Sequence, residues 1–371
     1  MPQTSLNNAE MLDSSVSLLD DPSSQDILHP IRRAPCTVCG SNFSETLCSA
    51  DQIKSQHDEL RRFHESRLIS TEKARTSQET DLFDRVDFTQ RYTTNVDRCL
   101  TCGLLFRNPR PTADVVADLY ASDRYTDSYL LEEHQRQVAS AEEKLLTLAG
   151  WLWKFGRVRP RIIEVGSFVG GFLSVARMCG WDILGVDPGR QVVEFCRSRG
   201  LPIIQGRLHE TDAKPGSADA ITIWNTFDQL ANPHLVLSAA RKLLRPGGIL
   251  VVRVPNGECY RTLITARQGW KKVSSRMCRS ILAWNNLLGF PYLYGYTAST
   301  LDRLLAGYGM HRLRVYPDVL LPIAGAQHTT WARAEERMTK GLCRAFSHPR
   351  QGGRRARLRL SPWCDYYYRL G

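Results

Sequence analysis

The segment Arg161-Ile-Ile-Glu-Val-Gly-Ser-Phe-Val-Gly-Gly-Phe172 decides the fold of this chain. A short β-branched run with one acidic residue ends at Gly166, and a helix-compatible run starts at Phe172. This order predicts a buried parallel strand, a tight turn and the start of a helix. Gly166 and Gly170 can adopt backbone angles that a side chain forbids, so a ligand can lie against the main chain. The glycines alone leave two interpretations open, a nucleotide-like cofactor site and a turn that binds nothing.

The residues that follow alternate between strand and helix patterns. Helices are predicted at 172–179, 192–199 and 234–244, and the last one stops at Arg245-Pro-Gly-Gly248. Repeated units of this kind predict an α/β fold with a doubly wound, mostly parallel, Rossmann-like sheet, in which ligands bind at the carboxyl ends of the strands. The predicted strands are 162–165, 183–186, 203–204, 220–224 and 249–254.

The type of cofactor is indicated by the residues around the glycines. Asp187 closes the second predicted strand, and its carboxylate can accept hydrogen bonds from both ribose hydroxyls of an adenosine. A pyrophosphate site needs a glycine at the position that Phe168 occupies, whereas a sulfonium donor has no phosphate. Glu164 can accept from the ammonium group of such a donor, directly or through water. These residues favour S-adenosylmethionine over a dinucleotide.

Two Cys-x-x-Cys pairs, each followed by glycine, precede this region. Cys36, Cys39, Cys99 and Cys102 can present four thiolates to one structural Zn²⁺. The 59 residues between the pairs exceed the usual gap of about 15–20, so we expect a helical insertion within the charged stretch 51–75. Four free cysteines are the alternative.

Four ordered motifs carry a resemblance to a known family. The chain resembles class I S-adenosylmethionine-dependent methyltransferases from about residue 35 to 320, and its cysteine pairs resemble the N-terminal zinc-binding module of members that include sugar C-methyltransferases. The motifs are Glu164-Val-Gly-Ser-Phe-Val-Gly-Gly-Phe172, Gly185-Val-Asp-Pro188, Trp224-Asn-Thr-Phe-Asp-Gln-Leu-Ala-Asn-Pro233 and Leu244-Arg-Pro-Gly-Gly-Ile-Leu-Val-Val-Arg-Val-Pro-Asn256, with Gly103-Leu-Leu-Phe-Arg-Asn-Pro-Arg-Pro111 in the module.

The resemblance implies roles for individual residues. Gly166 and Gly170 would line the methionine part of the cofactor, and Asp187 would bind the ribose. Arg207 and Leu208 would flank the adenine, and Asn225 would lie near the donor. The chain departs from the family at Phe168, where a small residue is usual. It also departs at 225–229, which read Asn-Thr-Phe-Asp-Gln instead of a His-x-Leu-Glu-His pattern, so the catalytic role of that pattern is not transferred.

The acceptor is expected beneath the tyrosine-rich segment 285–297, which is followed by a predicted helix from Ser299. Methyl transfer needs alignment and, for some acceptors, a base. This segment has no histidine, and aromatic residues also fill cores, so the base stays open. The candidates are Tyr292, Tyr294, Tyr296, Asp228 and His234. We predict C- or O-methylation of a small-molecule acceptor, a sugar or natural-product intermediate.

Charge and hydropathy limit the other function classes. The chain has 371 residues and a formal charge of +11, of which +7 falls within residues 333–371, mostly in the stretch 350–359. Such a tail can bind RNA, DNA or anionic lipid, which gives the alternative of a nucleic-acid-binding protein that retains the fold; we favour a solvated terminus. The sequence has no run of eighteen apolar residues and no signal-peptide pattern, and its eleven cysteines fit a reduced, cytoplasmic protein without a membrane span.

The predicted organisation follows from these features. It comprises a disordered tail (1–33), a zinc-binding module with a helical insertion (34–112), a helical linker (113–160), the cofactor-binding core (161–260), a substrate-side part (261–330) and a basic tail (331–371).

Overall fold

The computed structural model describes residues 31–69, 94–121, 125–269, 272–347 and 358–371. The N-terminal module contains short antiparallel strands and one helix. Its elements are β1 (Ile31–Arg32), β2 (Ser44–Cys48), α1 (Ala50–Glu65), β3 (Asn95–Cys99), β4 (Leu105–Asn108) and β5 (Arg110–Pro111). β1 pairs with β5, so the last residues of the predicted tail 1–33 belong to the fold. The other residues of that tail, 1–30, lie outside the described residues.

The helix in the insertion between the cysteine pairs is present. α1 begins at a reciprocal cap, in which Ser49 Oγ accepts from the Gln52 N–H and Gln52 Oε1 accepts from the Ser49 N–H. Ile53, Leu60 and Phe63 are buried on α1. The predicted helical spacing used Leu60, Phe63 and Leu68, and Leu68 lies beyond the end of α1, where it is half-buried. Residues 70–75 of the predicted insertion lie outside the described residues.

Two helices, α2 (Ala113–Ala121) and α3 (Asp127–Lys154), lead to the central sheet. The sheet is mostly parallel, with the order β12-β13-β10-β9-β6-β7-β8. Its strands are β6 (Arg161–Val165), β7 (Asp182–Asp187), β8 (Ile203–Gln205), β9 (Ala218–Trp224), β10 (Leu244–Pro255), β12 (Met310–Asp318) and β13 (Trp363–Leu370). The predicted doubly wound α/β fold is therefore confirmed.

Helices connect the strands and cover the sheet. They are α4 (Gly171–Met178), α5 (Arg190–Ser198), α6 (Pro233–Leu243), α7 (Gly257–Gly269), α8 (Lys272–Trp284), α9 (Ala298–Ala306) and α10 (Thr330–Ser347). Every strand and helix that the sequence predicts in the core is present, with ends shifted by a few residues. Apolar side chains of β6, β9 and β10, such as Ile163, Ile221 and Val252, form the buried centre.

The C-terminus differs from its prediction as a basic tail. Residues 363–370 form β13, which inserts antiparallel between β10 and β12. The side chains of Trp363, Tyr366, Tyr367 and Tyr368 are fully buried there. A charge count over residues 333–371 combines this aromatic strand with the arginine-rich stretch before it, and so hides the strand. Residues 348–357, which include most of that stretch, lie outside the described residues.

The N-terminal module and the substrate-side part form one structure. β11 (Tyr294–Gly295) pairs with β4 and completes a four-stranded antiparallel sheet of order β11-β4-β3-β2. The buried Arg107 on β4 donates from Nε to Pro291 O at 2.8 Å and from a terminal nitrogen to Gly289 O. Among the described residues, no helix is both long and apolar enough to cross a membrane.

Candidate active site

The loop after β6 lies at the carboxyl edge of the central sheet. Gly166, Phe168 and Gly170 all have positive φ angles, of 69°, 46° and 69°. A Cβ on Gly166 would lie 2.3 Å from Thr226 Oγ1, so this position requires glycine both for its angle and for the closeness of the loop after β9. The Phe168 ring packs against Tyr125 and Tyr129 instead of entering the loop. The glycine loop is thus held against two neighbouring segments.

Asp187 ends β7 beside this loop. Its Oδ2 accepts from the Phe168 N–H at 2.8 Å, and its Oδ1 accepts from the Gly189 N–H at 2.9 Å. Burial raises the pKa of this carboxyl group to about 6, although the hydrogen bonds from the two backbone amides lower it. Each carboxylate oxygen has a second lone pair, so Asp187 can hold the loop and still accept from ligand hydroxyls.

Glu164 lies on β6 and is buried. Its Oε2 has no hydrogen-bond partner among the described residues, although a buried polar atom is normally paired. Burial raises the pKa of Glu164 well above its usual value; Lys144 lowers it and Asp187 raises it further. Burial in turn lowers the pKa of Lys144 to about 8. An unpaired buried carboxyl group beside the glycine loop fits a ligand that carries an ammonium group.

The remaining predicted cofactor residues lie at the ends of the next strands. Arg207 follows β8 and is exposed, whereas Leu208 is fully buried. Asn225 follows β9 with a φ of 59°, and its Oδ1 accepts from Arg253 at 2.7 Å. The structure therefore gives Asn225 a partner within the protein.

A buried ionic cluster surrounds Arg253, a residue for which the sequence predicted no role. The guanidinium lies 2.7 Å from Asp318 and 3.1 Å from Asp365, and its carbon is 4.7 Å from the centre of the Trp363 ring. Burial raises the pKa of Asp365 to about 7, whereas Asp318 has a lowered pKa, because Arg253 outweighs the burial that would raise it. The signal was visible in the sequence, because Arg253 is the one charge in the apolar run 249–254. The cluster joins β10, β12 and β13 near Asn225.

The tyrosine-rich segment lies against the turn after β9. Tyr296 has its ring 5.2 Å from that of Phe227, and the Leu293 N–H donates to Asp228 O at 3.2 Å. Tyr294 donates from its hydroxyl to Ala231 O at 3.2 Å. Burial raises the pKa of both Tyr294 and Tyr296, so both hydroxyls keep their protons at neutral pH.

The other two candidate bases lie nearby. Tyr292 is buried in the same segment, just before β11. His234, on α6, has Nδ1 2.7 Å from the Tyr308 hydroxyl and Nε2 2.7 Å from Thr37 O. The histidine joins the core to the N-terminal module, since both ring nitrogens contact protein groups. The structure therefore brings Asp228 and the tyrosines together and gives His234 a structural contact.

The four cysteines of the two pairs converge in the module. The Sγ atoms of Cys36, Cys39, Cys99 and Cys102 all lie within 4.8 Å of one another. Burial raises the pKa of Cys99, but the amides of Cys102 and Thr101 and the neighbouring thiols outweigh it and lower the pKa to about 6. Four converging sulfurs with amides directed at them fit a tetrahedral Zn²⁺. The predicted set of ligands is thus present as a cluster.

Residues 131–311 match a family model described as a methyltransferase domain. This segment is similar to methyltransferase domains. It begins within α3 and ends within β12, so it contains the glycine loop, Glu164, Asp187 and the tyrosine-rich segment. The N-terminal module and β13 lie outside the match.

Curated relatives share shorter stretches with this chain. The C-methyltransferase NovU of Streptomyces niveus is 29% identical over 99 residues, 25% of this chain and 24% of that protein. The ubiquinone biosynthesis O-methyltransferase of Methylococcus capsulatus is 26% identical over 95 residues, 24% of this chain and 40% of that protein. The chain therefore spans well under half the length of these relatives.

Solved structures of methyltransferases are similar to this chain at low sequence identity. The S-adenosylmethionine-dependent methyltransferase from Archaeoglobus fulgidus is 14% identical, with a TM-score of 0.41, over 66% of this chain and 100% of that chain.

Proposed function

We propose that this protein transfers a methyl group from S-adenosylmethionine to a small organic acceptor. The observation that carries the proposal is the buried, unpaired Oε2 of Glu164 beside the glycine loop, within the segment that matches a methyltransferase domain. A carboxylate here would gain a strong charge-assisted hydrogen bond from the cofactor's ammonium group. Without such a ligand, its desolvation has no compensation.

The cofactor would supply an electrophilic methyl group on a positive sulfur. Glu164 would bind the ammonium group, and Asp187 would accept from the ribose hydroxyls while it keeps its two backbone amides in place. Leu208 offers an apolar contact for the adenine, with Arg207 at the solvent side. Asn225, held by Arg253, would border the donor. The protein contributes mainly alignment, which suffices for an in-line displacement.

The acceptor would lie between the turn after β9 and the tyrosine-rich segment. Because Tyr294 and Tyr296 hold their protons at neutral pH, Asp228 is the better candidate to accept a proton. We propose a sugar or natural-product intermediate, methylated at carbon or oxygen. The names of one C-methyltransferase and one O-methyltransferase among the relatives support this class.

The proposal also covers the four-cysteine cluster of the N-terminal module and the C-terminal residues. Zn²⁺ at the four cysteines would be structural, since all four ligand positions are filled by the protein. The alternative of a nucleic-acid-binding protein loses part of its basis, because residues 363–370 form a buried strand of the sheet. Only the arginine-rich stretch 350–359 would then remain for nucleic acid.

Calorimetric titration with S-adenosylmethionine tests the proposal. Asp187→Ala should weaken binding about tenfold or more, since a hydrogen bond to a charged group contributes about 1.5–3 kcal/mol. The matched control is Asp182→Ala at the opposite end of the same strand, where the carboxylate is 70% exposed; its affinity should be unchanged. If the two variants bind equally well, the cofactor site is elsewhere.

The proton balance of the titration gives a second readout. Because burial raises the pKa of Glu164, the free protein binds a proton on this group more readily than an exposed glutamate does. Binding an ammonium group favours the ionised form, so binding should release a proton and tighten as pH rises. Titrations in buffers of different ionisation enthalpy measure the release, and Glu164→Gln should abolish it. If Glu164→Gln still releases a proton on binding S-adenosylmethionine, Glu164 does not bind the ammonium group.

A further inference from the structure

A cleft lies at the edge of the central sheet opposite the glycine loop. It has a volume of about 530 Å³, which is within the range of small-molecule sites. Its walls come from the segment after α3 and from the starts of β6, β7, β9 and β10. Arg161 begins β6 and Gly166 follows its other end, so about 17 Å of strand separate the cleft from the glycine loop. The cleft is therefore distinct from the proposed cofactor site.

The side chains that line the cleft are mainly cationic. They include five cations, Arg157, Arg159, Arg161, Lys214 and Arg245. Only two carboxylates, Asp182 and Asp219, oppose them in the lining, which leaves three positive charges uncompensated. Arg159 and Lys214 are exposed and form no ion pair among the described residues. A concave surface with an excess of one charge attracts ions of the opposite sign.

The buried Asp219 orients two of the guanidinium groups. Its Oδ1 lies 3.1 Å from Arg157 Nε and 3.0 Å from a terminal nitrogen of Arg245, and its Oδ2 accepts from the Arg161 N–H at 2.8 Å. Arg245 also donates to Ser217 O at 3.0 Å. These contacts restrict the arginines before any ligand arrives, so a ligand would pay less of the entropic cost of ordering them.

Several donors of the cleft lack an acceptor. Arg161 Nε, Arg245 Nε and Ser217 Oγ are buried and have no hydrogen-bond partner among the described residues. Arg161 Nε lies 3.6 Å from Asp182 Oδ2, which is too long for a hydrogen bond. Buried donors are normally paired, and an oxyanion in the cleft would supply acceptors. Unpaired donors and uncompensated positive charge together fit an anion.

We propose that this cleft binds a small phosphorylated molecule through its phosphate oxygens. The planar fork of an arginine matches two phosphate oxygens at once, and three arginines converge here around Asp219. Among the described residues that line the cleft, none is aromatic, so no ring is available to stack on a nucleobase. Single-stranded nucleic acid is usually held by such stacking along an extended groove. A compact phosphorylated ligand fits better.

Calorimetric titration of the full chain with inorganic pyrophosphate tests this proposal, which does not depend on methyl transfer. We expect saturable binding that weakens as the salt concentration rises. The double variant Arg159→Gln/Lys214→Gln should bind about tenfold more weakly, because it removes two cations from the cleft. Both side chains are exposed, so the variant should fold, and far-UV circular dichroism checks this. The matched control is Lys54→Gln/Arg62→Gln on α1, which removes two exposed cations outside the cleft and should bind like the unchanged chain.

Asp182→Asn provides a test of opposite sign. The carboxylate of Asp182 is 70% exposed and lies beside Arg161, so its removal should tighten pyrophosphate binding about threefold. A gain in affinity cannot arise from a loss of folded protein. The proposal is overturned if the unchanged chain does not bind pyrophosphate, if the control loses as much affinity as the double variant, or if Asp182→Asn binds no more tightly.

Two competing ligands separate phosphate from other anions. If citrate binds as tightly as pyrophosphate, the cleft takes any small polyanion and the assignment to phosphate is wrong. If a short RNA displaces pyrophosphate at much lower concentration and the double variant weakens the RNA as well, the face binds nucleic acid and the proposal fails. Displacement of pyrophosphate by inorganic phosphate, with neither citrate nor RNA competing at similar concentration, supports it.

Discussion

Replacing Arg253 by methionine is the sharpest test of the buried ionic cluster. Arg253 is 1% exposed and lies within 3.1 Å of both Asp318 and Asp365, and it donates to Asn225 Oδ1 at 2.7 Å. Methionine keeps much of the apolar stem but removes the charge. Asp318 and Asp365 would then lose the guanidinium that contacts both of them.

The expected loss in the free energy of unfolding is about 3–5 kcal/mol, the usual cost of removing one partner from a buried ion pair. That is a large part of the about 5–15 kcal/mol by which domains are stable. The matched control is Arg312→Met. Arg312 pairs with Asp302 at 2.8 Å, but the two side chains are 36% and 39% exposed. An exposed pair contributes only about 0–1 kcal/mol, because water solvates both charges.

Urea unfolding at neutral pH, followed by tryptophan fluorescence, measures both losses. Trp363 stacks on Arg253 and reports directly on this region. If Arg253→Met and Arg312→Met lose the same free energy of unfolding, the buried cluster stabilises the fold no more than an exposed ion pair does. Arg253→Met should also weaken S-adenosylmethionine binding, because Asn225 loses the hydrogen bond that holds it at its positive φ angle.

Three further perturbations follow from the described contacts. Cys99→Ser should lose about one equivalent of bound zinc by metal analysis, and a protein that contains no zinc before the change would contradict the site. Between pH 3.8 and about 7 the folded Asp365 keeps a proton that the unfolded chain has lost, so the stability of the protein should fall as pH rises. Asp365→Asn should make this fall shallower in thermal melts across that range. An unchanged dependence of the melting temperature on pH in the variant would show that Asp365 does not titrate there. Gly170→Ala should destabilise more than Gly180→Ala, since both have positive φ but only the Gly170 Cβ would meet Leu201, at 2.7 Å; equal urea midpoints would refute the contact.

The sequence predicts the core because its signals are local. Each strand from β6 to β10 is a short apolar run, and each ends at a glycine, an acid or an amide before a helix begins. Such alternation predicts parallel strands that are joined by right-handed crossover helices. Gly166 and Asp187 could be placed at one edge for the same reason.

The rest of the site depends on contacts between distant parts of the chain. Arg253 meets Asp318 and Asp365 only because β13 returns from the terminus and inserts beside β10. Nothing in the residues near 365 indicates which strand they will pair with. Similarly, the buried Glu336 on α10 accepts from the backbone amides of Ile323 and Ala324, a pairing that no periodicity reveals. Pairing of this kind overrides the local pattern.

The same non-local pairing explains why the N-terminal module contacts the tyrosine-rich segment, the proposed acceptor side of the site. β4 begins shortly after Cys102, and its Arg107 N–H donates to Leu293 O at 2.9 Å, while its side chain binds the backbone at Pro291. β11 has only two residues and cannot be stable alone. It is held by β4, whose position is set by the cysteine cluster. A metal ion at that cluster would therefore act on the tyrosine-rich segment through one strand, and so shape the acceptor site without touching the acceptor.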